Sequence, residues 1–254
     1  VPLPKQVYGH GWLLQDGGKM SKSKGNVIYA DDMVNFFGKD AVRYYVLTSM
    51  PQDNDGLISW EMVIDTINNE LANVFGNLVS RTIAMSNKYF NGVVEDKGAN
   101  EEVDSELIEM ASSLRDKVTG YMNEYKIQSA ISEIFSLFRR ANKYIDETMP
   151  WALAKDEAQQ DRLSTVLYNL VEAITIGASM LESFMPETTE RILKQLNTEK
   201  RDYEVMDQFG LYPSGNKVTD TPEILFARLK MEDVMVEVEK LQAAQMAAAG
   251  IQEE

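Results

Sequence analysis

The chain contains no cysteine and a single histidine, His10. A disulfide framework and a thiolate zinc site are therefore excluded, and a reducing, cytoplasmic setting is expected. A lone imidazole has no second histidine or thiol with which to form a metal cluster or a catalytic dyad, so no resident metal is expected. No run of about 18 apolar residues is apparent, so no membrane span is expected, and no signal-peptide pattern is visible. Positive charge is also scarce: 25 Lys and Arg stand against 40 Asp and Glu, for a net charge of −15. Such an excess argues against non-specific binding to DNA or any other polyanion. An initiator methionine is missing as well. The chain enters directly on "VPLPKQVYGHGWLL", which reads like the inside of a strand-and-loop region, so a piece of a longer protein is expected.

What is present departs locally from this acidic background. Residues 1–30 carry Lys5, Lys19, Lys22 and Lys24 against one acid, Asp16. Three of these lysines fall in the stretch "DGGKMSKSKGN", Asp16 to Asn26, among Gly17, Gly18 and Gly25 and the hydroxyls of Ser21 and Ser23. A flexible backbone with three ammonium groups can close over a triphosphate and stabilise charge developing on it. The Walker spacing G-x-x-x-x-G-K-S/T is absent. By composition alone, an exposed basic turn is the favoured reading of the stretch.

The coarse organisation is predominantly helical. "KQVYGHGWLL" suits a short strand leading to a turn, and "NVIYADD" a second small strand. Short helices are expected from about Asp31 and Asp40, with each acid as an N-cap. From Ser59 the apolar residues Ile64, Ile67, Leu71, Val74 and Leu78 recur at three- and four-residue steps, predicting one long helix to Phe90. Further helices are expected near 104–124, 127–147, 160–184 and 187–197, the last opening at Pro186. A final Ala- and Glu-rich helix covers 231–248. The expected fold class is mainly α: an antiparallel helix bundle preceded by a small α/β segment. The expected divisions are 1–60, 61–230 and 231–254.

The pentapeptide "KMSKS", Lys19 to Ser23, is identical to the second signature of class I aminoacyl-tRNA synthetases, and "KGNVI" extends the likeness. The loop alone does not separate the leucyl, isoleucyl, valyl, cysteinyl and methionyl enzymes. "NELANVFGNLVSRTIAMSNKYFNGVV" (69–94), "ANKYIDETMPWALAK" (141–155) and "FMPETTERILKQL" (184–196) resemble the anticodon-binding bundle of bacterial-type methionyl-tRNA synthetases. The likeness covers nearly the whole chain. It implies that 1–60 closes the Rossmann catalytic domain and connecting segment, that 61–230 binds the anticodon, and that 231–254 begins a linker. The resemblance further implies that Lys19, Met20, Ser21, Lys22 and Ser23 contact or shape the ATP site. Lys22 is then the main electrostatic catalyst, Lys19 its assistant. ATP with Mg2+, methionine and tRNA(Met) are the implied ligands of the parent enzyme, without zinc in this part.

Asn77 and Arg81 stand at i,i+4 and so on one helical face. Trp151 directly follows Pro150, at the opening of a short helix after a turn. The resemblance implies that Asn77 and Arg81 read base edges of the CAU anticodon and that Trp151 stacks on an unpaired base, as single-stranded loops permit. Asp146 is the candidate partner that orients Arg81, and Pro150 directs the chain into Trp151. Read without the resemblance, Trp151 is as readily a core residue, Asn77 an exposed helix position, and Arg81 half of an ion pair. Arg139, Arg140 and Lys143 suggest a phosphate contact or, equally, a solvated helix face. His10 resembles the residue closing a strand beside the family's active site, with a plain structural role as the alternative.

The "HIGH"-like signature of the family is absent from the chain, so the piece by itself is expected not to activate methionine. Two other readings remain at this stage. One is a free-standing RNA-binding protein derived from a synthetase; the other is the equivalent region of a leucyl- or valyl-type enzyme.

Overall fold

The computed structural model describes residues 2–15, 18–21, 27–51 and 54–248. The chain divides into two compact units, Val1–Ile67 together with Leu229–Glu254, and Asn68–Arg228.

In the first unit, β1 (Leu13–Gln15) lies at the centre of a three-stranded sheet. It pairs antiparallel with β2 (Gly18–Lys19) and parallel with β3 (Gly56–Leu57). The approach is close because Gly11 has no side chain: a Cβ there would overlap the Asn54 carbonyl. Trp12 N–H then donates to Asp55 Oδ1 (2.7 Å), and the Gly56 amide to Trp12 O (2.8 Å). Helices α1 (Ala30–Phe37), α2 (Lys39–Ser49) and α3 (Trp60–Thr66) follow. Residues 27–29 form no strand, and Asp31 and Asp40 are not caps. Both lie inside the first turn, where a carboxylate still complements the positive end of the helix dipole. Trp60, buried, packs edge-on against Phe36 at 5.3 Å between centroids and touches Phe37 at 5.9 Å. The closing helix α10 (Met231–Ala248) buries Val238 and packs on α3.

The second unit is an antiparallel helix bundle. The helix predicted from Ser59 to Phe90 is not uniform: a π-helical stretch, Ile67–Gly76, separates α3 from α4 (Asn77–Phe90). Its buried residues Ile67, Leu71 and Phe75 recur every four positions, the spacing a wider turn requires to keep one face inward. Helices α5 (Asp104–Asn123), α6 (Ile127–Thr148), α7 (Pro150–Leu153), α8 (Gln160–Leu181) and α9 (Pro186–Gln195) complete the set. A two-residue ribbon joins β4 (Val93–Val94) to β5 (Asn216–Lys217).

α8 is the central member and touches α4, α5, α6, α7 and α9. Its stretch is apolar enough to satisfy a membrane-span criterion (mean hydropathy 1.3), yet that window is wholly buried inside the bundle. Hydroxyls within it return to the backbone one turn earlier, Thr175 to Val171 O (2.8 Å) and Ser179 to Thr175 O (2.7 Å). This satisfies them at little cost in a buried helix. Phe138 of α6 stacks on Phe75 at 4.4 Å, a pair worth about 0.5–1.5 kcal/mol beyond its buried area. Gly177 lets α8 lie directly against that ring, because a Cβ at 177 would overlap Phe138.

A buried ion network ties α5 to α8. Arg162 grips Asp104 with two N–H groups (2.7 and 2.6 Å), and the Tyr144 hydroxyl donates to the same carboxylate (2.7 Å). Burial pushes the Asp104 carboxyl up, but Arg162, the Glu101 amide and Tyr144 outweigh it and hold it below the usual carboxylate range. Burial first, then that carboxylate, pushes the Tyr144 hydroxyl up.

Two outcomes follow from this packing. Gly177→Ala should destabilise the protein by about 1–3 kcal/mol through overpacking against Phe138, measured as a lowered thermal midpoint. Asp104 is depressed in the folded state, so its contribution is complete above the unfolded carboxylate pKa and disappears as pH falls through the folded value. Asp104→Asn, which removes the buried acid of the 5% exposed Arg162 and leaves it Glu101 and the Ala99 carbonyl, should cost about 3 kcal/mol at pH 7. Denaturant titrations should show that gap narrowing below pH 4.

Candidate nucleic-acid interface and phosphate loop

In the second unit, α4 and α6 bring three of the singled-out residues to one neighbourhood. Asn77 is the first residue of α4, at the junction where the π-helical stretch ends, and it is exposed. Arg81 lies one turn on and donates from Nη2 to Asp146 Oδ1 of α6 at 3.3 Å. That carboxylate is 68% exposed and the arginine 33%. An ion pair so open to water contributes at most about 1 kcal/mol. A guanidinium carries five N–H donors, so one long bond to Asp146 orients it while leaving donors for another acceptor. Asp146 sits five residues before Trp151, on the last turn of α6.

The chain between them is fixed by backbone chemistry. Pro150 cannot extend α6, because its ring would meet the carbonyl of Asp146 and it has no N–H to donate. Met149 turns left-handed (φ 45°, ψ 63°) and Pro150 becomes the buried first residue of α7. Trp151 follows on that single turn, 43% exposed. The side chains of Asn77 and Trp151 make no hydrogen bond to any described residue. The Asn77 amide and the Trp151 indole N–H thus have no hydrogen-bond partner among the described residues, and Arg81 keeps donors beyond its bond to Asp146.

The basic cluster on α6 does not present free cations. Arg140 is buried, with Nε 2.7 Å from Glu106, Nη1 2.8 Å from Glu147 and Nη2 donating to Val103 O at 3.2 Å. Lys143 also meets Glu147 (3.2 Å), and Arg139 meets Glu70 (3.4 Å). Desolvation pushes the Glu147 carboxyl up, but Lys143 and Arg140 outweigh it and hold it below its ordinary range. The phosphate contact suggested for this cluster is therefore corrected for Arg140, whose guanidinium is committed to the interior.

In the first unit, the β1–β2 hairpin carries the start of the lysine loop. Leu14 faces Lys19 and Gln15 faces Gly18. Lys19 is exposed, its Nζ 5.6 Å from the centre of the Trp12 ring, a cation–π distance. Met20 and Ser21 are half-buried. Lys22 and Ser23 lie outside the described residues. His10 is exposed, with Nδ1 2.8 Å from Gly11 O.

Two features escaped the reading of the sequence. Trp12 reaches Lys19 only once the hairpin register is known. Met149 had a usable signal, since a residue before proline is kept out of the right-handed helical region and must turn the chain there.

Residues 1–83 match the family described as tRNA synthetases class I (M), and residues 94–246 match the anticodon binding domain of methionyl tRNA ligase. The methionine–tRNA ligase of Clostridium acetobutylicum is 50% identical over 248 residues, covering 98% of this chain and 38% of that protein. That of Clostridium tetani is 49% identical over 241 residues, covering 95% and 37%. The chain thus spans little more than a third of the length of these relatives. Among solved structures, Mycobacterium tuberculosis methionyl-tRNA synthetase in complex with methionyl-adenylate superposes with a TM-score of 0.84 at 32% identity, over 90% of this chain and 45% of that one.

Arg140→Met should therefore weaken folding by about 1–3 kcal/mol, by leaving the Val103 carbonyl and two acids short of a partner. The salt dependence of RNA binding should stay unchanged. Denaturation and a salt titration check both, and a log–log slope reduced by about one would return Arg140 to a phosphate role.

Proposed function

Because the chain belongs to the methionyl-tRNA synthetase family, we propose that it is the tRNA(Met)-reading portion of a methionine–tRNA ligase. The parent enzyme activates methionine with ATP, accompanied by Mg2+, and esterifies it to tRNA(Met) in the cytoplasm. Residues 1–60 end the catalytic domain, 61–230 bind the anticodon, and 231–254 close the piece and open a linker. The family match removes the leucyl- or valyl-type reading.

The observation that carries the proposal is the Arg81–Asp146 pair, which draws α4 to the end of α6 where Trp151 stands open to solvent. Trp151 stacks on one unpaired base of the CAU anticodon, a contact worth roughly 1–3 kcal/mol. Asn77 and Arg81 take base edges, the amide offering both a donor and an acceptor and the guanidinium a fork of donors. Asp146 holds Arg81 in place and gives way cheaply, since its own pair is exposed. A net charge of −15 leaves bulk attraction to RNA weak, so discrimination rests on these contacts.

At the other site, a methionine carboxylate oxygen attacks the α-phosphorus of ATP and pyrophosphate leaves. Lys22, with Lys19 assisting, offsets the charge that accumulates on the phosphates. Ser21, Ser23 and Met20 shape the loop that carries them. A cation that binds the transition state more strongly than bound ATP raises the rate. This part of the protein needs the preceding nucleotide-binding half to complete that reaction.

Trp151→Ala should lower affinity for a CAU anticodon stem-loop about tenfold or more, read by titration. Unchanged binding would remove Trp151 from the site. In the intact parent, Lys22→Ala should slow adenylate formation far more than it weakens ATP binding. Equal losses would reduce Lys22 to a ground-state clamp.

A further inference from the structure

We propose that Met149 is the positioning residue for Trp151, acting through its left-handed backbone and not through its side chain. The inference rests on the anticodon reading above and names what aims the indole.

The constraint begins at Pro150. A continuing helix is opposed by the proline ring, and the right-handed helical region is disfavoured for the residue before a proline. An extended Met149 would carry the chain onward from α6. The left-handed alternative, φ 45° and ψ 63°, folds it back. In that conformation Met149 serves two helices at once. Its N–H donates to Ile145 O (3.1 Å), closing α6. Its carbonyl accepts from Ala152 N–H (2.7 Å) and Leu153 N–H (3.2 Å), opening α7. Both ends of the turn are therefore tied, and buried Pro150 fixes the point between them.

Consequently the carboxylate that holds Arg81 and the indole that faces solvent are joined by a few residues of ordered backbone. Four non-glycine described residues adopt positive φ: Asn91, Tyr125, Met149 and Asn197. Two are asparagine, which tolerates this region, and among the four Met149 is the one followed by proline. A side chain poorly suited to the conformation is held in it at the residue two before Trp151. Local strain of this kind persists where surrounding structure over-determines it.

The test is a set of substitutions in the full chain, each titrated with a CAU anticodon stem-loop RNA. Asparagine and glycine accept the left-handed conformation, so Met149→Asn and Met149→Gly should bind within about twofold of the wild-type chain. Met149→Asn should also unfold at an equal or higher temperature. A β-branched residue resists this conformation, and Met149→Val should lose about tenfold in affinity while retaining its helical circular dichroism. Acrylamide quenching of the emission component that Trp151→Phe removes should change in the valine variant and not in the asparagine one. A role in stability alone would lower the unfolding temperature of the valine variant while leaving its Trp151 quenching and its RNA affinity unchanged. Normal binding by Met149→Val, or lost binding by Met149→Asn, overturns the proposal. The asparagine arm stands even if the valine variant does not fold. If Trp151→Ala binds as tightly as the wild-type chain, the anticodon reading falls and this proposal with it. Dependence on Trp151 combined with normal binding by the valine variant overturns only the role given to Met149.

Discussion

Glu172 lies within α8 with no exposed surface, and its two oxygens accept five hydrogen bonds. Two come from the Arg201 guanidinium (2.9 and 2.8 Å), and three from the backbone N–H groups of Gly210, Leu211 and Tyr212, each 2.9 Å. A carboxylate removed from water costs several kcal/mol, and only such complete satisfaction makes its burial tolerable. The result is that residues 201–212, which have little regular structure of their own, are bound to the centre of the bundle. Tyr212 adds a hydroxyl bond to Leu196 O (2.7 Å) and receives one at its carbonyl from Tyr168 (2.8 Å). Burial, and then the nearby Glu172 charge acting against an Asn216 contact, push the Tyr212 hydroxyl up to about 12. From there the chain reaches β5, which pairs with β4 just after α4. The same α8 backs α4, α6 and α7, the elements that carry Asn77, Arg81, Asp146 and Trp151. A rigid central helix thus underlies every residue proposed to meet RNA.

The charge distribution complements this rigidity. Cations of the helical unit are mostly spent on acids: Arg162 on Asp104, Arg201 on Glu172, Arg140 on Glu106 and Glu147, Arg191 on Glu223. An acidic protein that neutralises its own arginines in this way has little with which to attract a phosphate backbone indiscriminately. Arg81 and Arg139 hold their acids more loosely, at 3.3 and 3.4 Å. Asp146 is exposed and its bond long, so under the proposed role exchanging it for a base edge would cost little. On the proposed reading, selectivity between anticodons would depend on edges and faces of bases, where a wrong partner leaves groups unsatisfied, instead of on phosphates, which all tRNAs share.

Local signals in the sequence were read well where structure is itself local. Helix periodicity placed α5, α6, α8 and α9 within a few residues, because an apolar stripe such as Leu107, Ala111, Leu114 and Val118 has one economical way to be buried. Pro186 opened α9 as a first-turn proline should. The departures share a different origin. The π-helical stretch before Asn77 keeps nearly helical spacing, so nothing in the pattern announces it. Arg140 carries the same letter as Arg139, and only the placement of Glu106 on α5 and Glu147 two turns further along α6 draws it inside. Serines and threonines interrupt the apolar run of α8, although their hydroxyls are silent once bonded to the helix backbone. Lys19 and the residues around it were recognised as an identical string, a signal independent of folding.

The two sites ask for opposite mechanical properties. A catalytic cation gains by fitting the transition state better than the bound substrate, which favours a group able to approach late. A base-stacking platform gains by being immobile, since each rotamer-rich side chain ordered on association costs about 0.5–1.5 kcal/mol of affinity. The main chain carrying Trp151 is ordered by its own bonds: a left-handed residue bonded on both sides, a buried proline, and one closed helical turn. The backbone part of its ordering cost is incurred in folding, so under the proposed role more of the stacking energy would be left for the base. Tryptophan also brings a large flat face with only two rotatable bonds. A flexible residue at the same position would return much of that gain as entropy, so under the proposed role the turn preceding Trp151 would matter to recognition alongside the indole itself.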